Sequence, residues 1–265
     1  MKSGINNYCS GFLFTILRFL AKYALIVMRT IQGKFFFIKQ ILLVLIVSTC
    51  YLLKAQPTNG SSGLLNTPNA EMKEDGTFII GSNYLPVTFT STSYNTVNYY
   101  FNLTFIPFLE VTYRLTLMRM QFEDNRNLNE DRSFGLRMRL VRERKYIPAI
   151  VLGGDDIFTS SGNGNQYFGS TYIVGTKTIN WNDNRVSINL GNGFNSFERK
   201  NLNGIFGGIS YSPQFFNQLN FIAEYDTKAL NLGASLLLFD CFFLYAFINQ
   251  NDSFMGGIAY HINLQ

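Results

Sequence analysis

The chain is poor in the residues on which metal centres, disulfide frameworks and acid–base catalysts are built. Histidine occurs once, at His261, and cysteine three times. Cys9 and Cys50 fall in an apolar leader, so Cys241 would stand alone in a mature chain. A lone thiol excludes an internal disulfide, and no spacing of Cys and His fits a metal-ligand set. No glycine-rich phosphate loop is present, and no cofactor is expected. Charge is also scarce: 15% of the 265 residues are Asp, Glu, Lys or Arg, well under the roughly 25% of ordinary soluble domains. Beyond the leader no stretch carries the period of a long amphipathic helix.

What is abundant is apolar and aromatic surface. Hydrophobic residues make up 47% of the chain and aromatic ones 16%, more than so little charge keeps comfortably in water; lipid is one place for such surface. The formal net charge of +5 belongs to the leader. Residues 1–55 hold seven basic side chains and no acid, which leaves 15 basic against 17 acidic residues in the remainder. A slightly acidic mature chain gives no argument for nucleic acid as a partner.

Two apolar stretches open the sequence, Gly11 to Val27, broken by Arg18 and Lys22, and Phe35 to Leu53. The second has the layout of a secretory signal. Arg29, Lys34 and Lys39 precede the run Ile41 to Val47, and Ala55 before Gln56 is a small residue suited to cleavage. Met28 stands just ahead of this unit and is a second candidate start. Two transmembrane helices are the rival reading, but each stretch is at the short end for a span of about 20 residues. Val47-Ser48-Thr49-Cys50 has the rough shape of a lipid-attachment box, with Thr49 bulkier than the usual small residue.

After the leader the pattern has period two, repeatedly. Val97, Tyr99, Phe101, Leu103 and Phe105 alternate with Asn98, Tyr100, Asn102 and Thr104; after a turn at 106–108, Leu109, Val111, Tyr113, Leu115 and Leu117 alternate with Glu110, Thr112, Arg114 and Thr116. Similar runs occupy 134–140, 185–190, 219–226, 230–238 and 258–264, with weaker ones at 77–84, 147–154, 167–178, 204–211 and 241–249. The sum is roughly twelve strands of 8–11 residues, the length that crosses a bilayer when tilted. Tight connections at 106–108, 213–218 and 239–240 alternate with longer polar ones at 119–131, 155–166 and 192–203. The fold class expected is all-β: a transmembrane antiparallel β-barrel of roughly twelve strands behind a cleaved signal segment. Its divisions would be a leader over 1–55, a periplasmic N-terminal segment over 56–75 and the barrel over 76–265. A soluble β-sandwich also alternates, but its polar face should be crowded with charge, whereas here it is mostly Asn, Ser, Thr and Gly. Closure satisfies every backbone group in lipid.

Seven charges are expected to face the lumen: Glu110, Arg114, Arg137, Arg139, Lys177, Arg185 and Glu224. Unpaired buried charge is costly, so a salt-bridge network is the default role; a path for a polar or anionic solute is the alternative. Gly153-Gly154-Asp155-Asp156 matches the signature of cyclic-dinucleotide synthases but lacks their α/β setting, and reads as strand end and turn. His261 with Ser253 is the sole candidate for a barrel-borne hydrolase, and no pattern surrounds it.

One segment speaks to function. Gly63-Leu64-Leu65-Asn66-Thr67-Pro68-Asn69-Ala70-Glu71-Met72, followed by Asp75-Gly76, resembles the N-terminal signature of the YjbH family of outer-membrane exopolysaccharide proteins. The matching positions are Gly63, Asn66, Thr67, Pro68, Ala70, Met72 and Gly76, and Glu71 stands where that family usually has Arg. Pro107-Phe108-Leu109-Glu110, Asp131-Arg132-Ser133-Phe134, Tyr146-Ile147-Pro148-Ala149 and Glu224-Tyr225-Asp226 add shorter echoes. The resemblance implies a non-enzymatic barrel in the outer membrane of a Gram-negative bacterium, with membrane lipid, polysaccharide and components of an export system as partners. It supplies no catalytic residues. A barrel enzyme acting on lipid or glycan and a structural or adhesive surface barrel are the alternatives. Pro68 disfavours helix at Thr67, and the Asn66-Thr67-Pro68 stretch is expected to plug or seal the periplasmic mouth.

Overall fold

The computed structural model describes residues 58–87, 95–119, 128–159, 168–194, 202–250 and 252–264. The leader, Met28, Cys50 and the Ala55 cleavage point lie outside the described residues, as do most of the three longer polar connections.

Twelve antiparallel strands form one closed barrel, each hydrogen-bonded to its sequence neighbours. They are β1 (Thr77–Leu85), β2 (Thr96–Ile106), β3 (Leu109–Arg119), β4 (Leu128–Val141), β5 (Ala149–Thr159), β6 (Ser170–Trp181), β7 (Asn184–Phe194), β8 (Gly204–Ser212), β9 (Leu219–Tyr225), β10 (Leu230–Leu238), β11 (Phe242–Asn249) and β12 (Phe254–Asn263). β12 returns to pair with β1 from Thr77↔Asn263 to Tyr84↔Gly256. Closure rules out the sandwich and leaves no sheet edge for another chain to extend. Among the described residues the helical content is a single 3₁₀ turn, Gln214–Phe216, and no helix is long and apolar enough to cross a membrane.

The alternation read from the sequence fixes which face is which. On β2 Asn98, Tyr100, Asn102 and Thr104 are buried inside while Tyr99, Phe101 and Phe105 are exposed outside. The polarity is inverted relative to a soluble protein: Glu110 is 0% exposed, whereas Leu190 and Ile205 are 66% and 69% exposed. Even strand number puts both ends of the barrel chain, Gly76 and Leu264, at one rim, where Leu264 N donates to Gly76 O at 3.0 Å. That rim also carries the connections 107–108, 142–148, 182–183, 213–218 and 239–241. The tightest, Asn182-Asp183, has both residues at positive φ (46° and 63°), the conformation a two-residue hairpin demands and one Asn and Asp tolerate. Connections at the opposite rim are longer between β1 and β8 and short at 226–229 and 250–253.

The lumen is widened by pairing inward aromatic rings with inward glycines on the neighbouring strand. The register sets Gly81 opposite Tyr100, Gly153 opposite Tyr172, Gly191 opposite Phe206 and Gly257 opposite Tyr245. A Cβ at any of these glycines would fall 2.3–2.7 Å from ring atoms of its partner. The rings therefore lie across the wall where a side chain would otherwise stand, which is what inward glycine in a strand permits.

Two sequence expectations are corrected here. Gly153 to Asp156 is not a strand end and turn. β5 continues through it to Thr159, with Leu136 paired to Gly154 and Phe134 to Phe158. Three residues, 155–157, thus oppose the single Gly135, a bulge with Asp156 at φ 56° that turns both Asp155 and Asp156 inward to 2% and 1% exposure. β4 also begins at Leu128, inside the 119–131 stretch expected to be a loop, and places Asp131 in the wall.

Candidate functional site

The lumen is filled by the chain itself. Residues 58–73 are buried throughout and run within the barrel before β1 starts. The Asn66-Thr67-Pro68 stretch therefore sits deep inside the lumen, not at its mouth, and the segment expected as a periplasmic one is an inner segment. Locally it doubles back on itself: Gly63 and Pro68 form an antiparallel bridge, Leu64 N donates to Thr67 O at 2.8 Å and Thr58 N to Leu65 O at 2.9 Å. Thr58 Oγ1 donates to Asn66 Oδ1 at 2.6 Å. Gly60 holds φ 82° and lies so close under Tyr100 that a Cβ there would meet the ring at 2.5 Å.

Wall carboxylates hold this loop by its backbone donors. Glu224 accepts from Leu65 N (3.1 Å), Asn66 N (2.7 Å), Thr67 N (3.2 Å) and Thr67 Oγ1 (2.8 Å). Asp226 takes Asn66 Nδ2 at 2.8 Å, and Asn231 Nδ2 donates to both acids. Charged acceptors bonding buried N–H groups make the stronger class of hydrogen bond, and each N–H so held avoids the cost of burial without a partner. Leu64 closes the fit: its Cδ1 occupies the place where a Cβ on Gly208 would stand.

A second anchor lies lower in the wall. Glu110 accepts from Ser62 N and Ser62 Oγ, both at 2.7 Å, and from Asn102 Nδ2 at 2.8 Å. It also forms a fully buried ion pair with Arg137 at 3.0 Å. Arg137 Nη2 donates onward to Asn69 O. Asn59 Nδ2 donates to Asp155 at 2.9 Å, Ala70 N to Thr176 Oγ1 at 2.6 Å and Asn83 Nδ2 to Thr58 O at 2.8 Å. At the rim where the chain enters β1, Glu71 pairs with Arg185 at 2.6 Å. Gly76, at φ 73°, makes the turn from the segment into the strand, a conformation that favours glycine.

Of the seven charges expected in the lumen, Glu110, Arg114, Arg137 and Glu224 are buried there. Arg114 stacks its guanidinium 4.3 Å from the centre of the Phe168 ring and donates Nε to Thr116 Oγ1 at 3.2 Å. Arg185 faces inward at the rim on Glu71. Arg139 is half-buried near the same rim and donates to Pro107 O. Lys177 is the correction: it falls between inward Thr176 and Thr178, and its Nζ binds Glu143 and Arg144 O at the 142–148 connection, 3.0 and 2.6 Å away. Four further acids, which the sequence presents only as parts of short motifs, are also buried: Asp131, Asp155, Asp156 and Asp226. With Glu71, Glu110 and Glu224 they give seven buried carboxyl groups against three buried bases, Lys73, Arg114 and Arg137, among the described residues, so the lining is acidic.

The structure does not assemble the Ser253–His261 pair. Ser253 precedes the first residue of β12 and His261 lies near its other end, roughly 25 Å away at the rise of an extended strand. His261 instead stacks on Phe243, with ring centres 5.8 Å apart at 20°. No group of three or more His, Cys, Asp or Glu suited to a metal ion occurs among the described residues.

The search of curated proteins found no match. The family model named YjbH, described as exopolysaccharide biosynthesis protein YbjH, matches residues 55–202, the inner segment and all of β1–β7. With more than half of its length matched, the chain belongs to the YjbH exopolysaccharide biosynthesis family.

Proposed function

We propose that the protein is an outer-membrane β-barrel of a Gram-negative bacterium that takes part in exopolysaccharide production or export without carrying out covalent chemistry itself. Polymer and other components of an export system would be its partners. The family supports the polysaccharide part of this reading. The observation that carries the membrane part is the inverted barrel, with buried acids inside and exposed Phe, Leu and Ile outside. An apolar exterior of that extent is far more than a water-exposed monomer tolerates, while a closed barrel meets the hydrogen-bonding demand of lipid. Exposed rings collect near both rims: Tyr146, Trp181, Phe215 and Phe239 at one, Tyr84, Phe194, Tyr225 and Phe254 at the other. Aromatic girdles of this kind mark the two interfaces of outer-membrane barrels. The rim with the short connections would face the periplasm, and the inner segment would hold the lumen closed at rest.

Membrane fractionation with a heat-modifiability gel tests location; a soluble product whose mobility is unchanged by boiling would refute the barrel-in-membrane reading. Gene deletion tests role: secreted polysaccharide should fall and return on complementation. Complementation by His261→Ala should be as good as by the wild type, whereas its failure together with loss of a lipid- or glycan-modifying activity would select an enzyme.

A further inference from the structure

β11 sends Phe243, Tyr245 and Phe247 into the lumen one above another. Their ring centres are 5.9 and 6.4 Å apart and their planes differ by only 34° and 18°. Small residues flank Tyr245 on both sides, Ser235 on β10 and Gly257 on β12; Phe247 lies between Gly233 and Met255, and Phe243 between Leu237 and Ala259. At Gly257 a Cβ would strike ring atoms of Tyr245 at 2.7 Å, so that ring lies against the wall. The result is a continuous strip of near-parallel rings on consecutive inward positions of one strand, whereas the other inward rings, Tyr100, Tyr172 and Phe206, stand on separate strands among amides, hydroxyls and charges. Leu64 and Leu65 of the inner segment join the same apolar cluster, while the anchoring hydrogen bonds described above come from β1, β3–β7 and the end of β9.

We propose that this strip is a stacking track for the sugar rings of an uncharged or basic glycan, uncovered when residues 58–73 withdraw. The proposal rests on the polysaccharide role argued above and names the class of polymer. Sugar rings present flat C–H faces edged by hydroxyls. Parallel aromatic rings accept the faces, and the neighbouring Asn231, Asn249 and Asn83 supply donors and acceptors for the hydroxyls. Charge selects among glycans. Withdrawal of the segment strips Glu224 of the Leu65–Thr67 donors, Asp226 of Asn66 and Asp155 of Asn59. Left with fewer donors, Asn231 on Glu224 and Asp226 among them, these wall carboxylates repel a uronate- or phosphate-bearing polymer and admit a neutral or amino-sugar one.

The test uses the full chain with Tyr245→Leu and Phe247→Leu together, which keeps both positions apolar and removes the rings. In producing cells the double variant should secrete several-fold less polymer with barrel level and heat-modifiability unchanged. Wild-type secretion by that variant, where gene deletion abolishes secretion, would overturn the track and leave the export role standing. Deletion without effect would overturn the role, and planar-bilayer recordings then decide the track alone. Glu224→Ala, which loosens the segment, should give a channel that maltohexaose blocks; adding the two leucines should shorten the blocks by roughly three- to tenfold, the scale of one or two aromatic stacking contacts. Hexagalacturonate should block less than maltohexaose. A channel that stays shut, blocks of equal length with and without the rings, or stronger block by the uronate would each overturn the proposal.

Discussion

The two sides of the lumen do different work. The wall from β3 to β7 is ionic, with Glu110, Arg137, Asp155 and Arg185 gripping the inner segment through charge-assisted bonds. The wall from β10 to β12 is aromatic and smooth, offering faces where the other offers points. The family match over 55–202 covers the β3–β7 wall and the segment that it grips; the rings lie beyond it, as do Glu224 and Asp226, which hold Asn66. A directional, charged wall fixes one partner in one register, whereas stacking faces tolerate a partner that slides. Substitutions on the ionic wall should therefore cost stability or closure, and ring-to-leucine substitutions on the aromatic wall should cost less of either.

The largest effect is expected at Glu110→Ala. Removing one partner of a fully buried ion pair strands the other, at about 3–5 kcal/mol, and here Ser62 and Asn102 lose an acceptor as well. Urea unfolding of the refolded barrel should register the loss; a cost equal to that of Tyr245→Leu would erase the distinction between the walls. Next is Glu224→Ala, at roughly 2–3 kcal/mol for charged hydrogen bonds forfeited. The loss should appear mainly as an open, cation-preferring conductance because the remaining lining is acidic. An anion-preferring current would contradict the charge assignment. Gly60→Ala comes third, at about 1–2 kcal/mol for a non-glycine residue held at positive φ. It should loosen the segment against Tyr100, and protease cleavage near residue 60 should increase. If cleavage is unchanged, Gly60 is not where the segment is tightly seated.

Much of the barrel was legible in the sequence because period two survives wherever one face is polar and the other apolar. On β2 and β3 every inward and outward residue follows from the pattern. Lys177 was misplaced because β6 is apolar on both faces, with Tyr172 and Val174 inside and Ile173 and Ile179 outside, so its alternation carries no direction and a charge was assigned inward by type. Asp155 and Asp156 were missed because a bulge breaks the period, and the Gly-Gly-Asp-Asp run has the composition of a turn. The inner segment was marked by Pro68 and by its family signature, but its seat was not, since the acid that holds Asn66 through its backbone stands 158 positions away on β9. Local sequence encodes the loop; only closure of the barrel brings Glu224 to it.

The smallest effect separates the rim from the depth of the ionic wall. Glu71 and Arg185 pair at 2.6 Å, but the arginine side chain retains 27% exposure, so solvent screens the pair and Arg185→Ala should cost less than about 1 kcal/mol. Position 71 is also where the family resemblance leads one to expect Arg. Glu71→Arg alone sets two guanidinium groups together at the rim and should loosen the segment slightly, whereas Glu71→Arg with Arg185→Glu should restore it, a coupling that a double-mutant cycle of urea midpoints can read. Restoration would show that this contact is held by charge alone and can be inverted without changing the loop above it. The same exchange of Glu110 with Arg137 should fail, because Glu110 also accepts from Ser62 N and no arginine can do that.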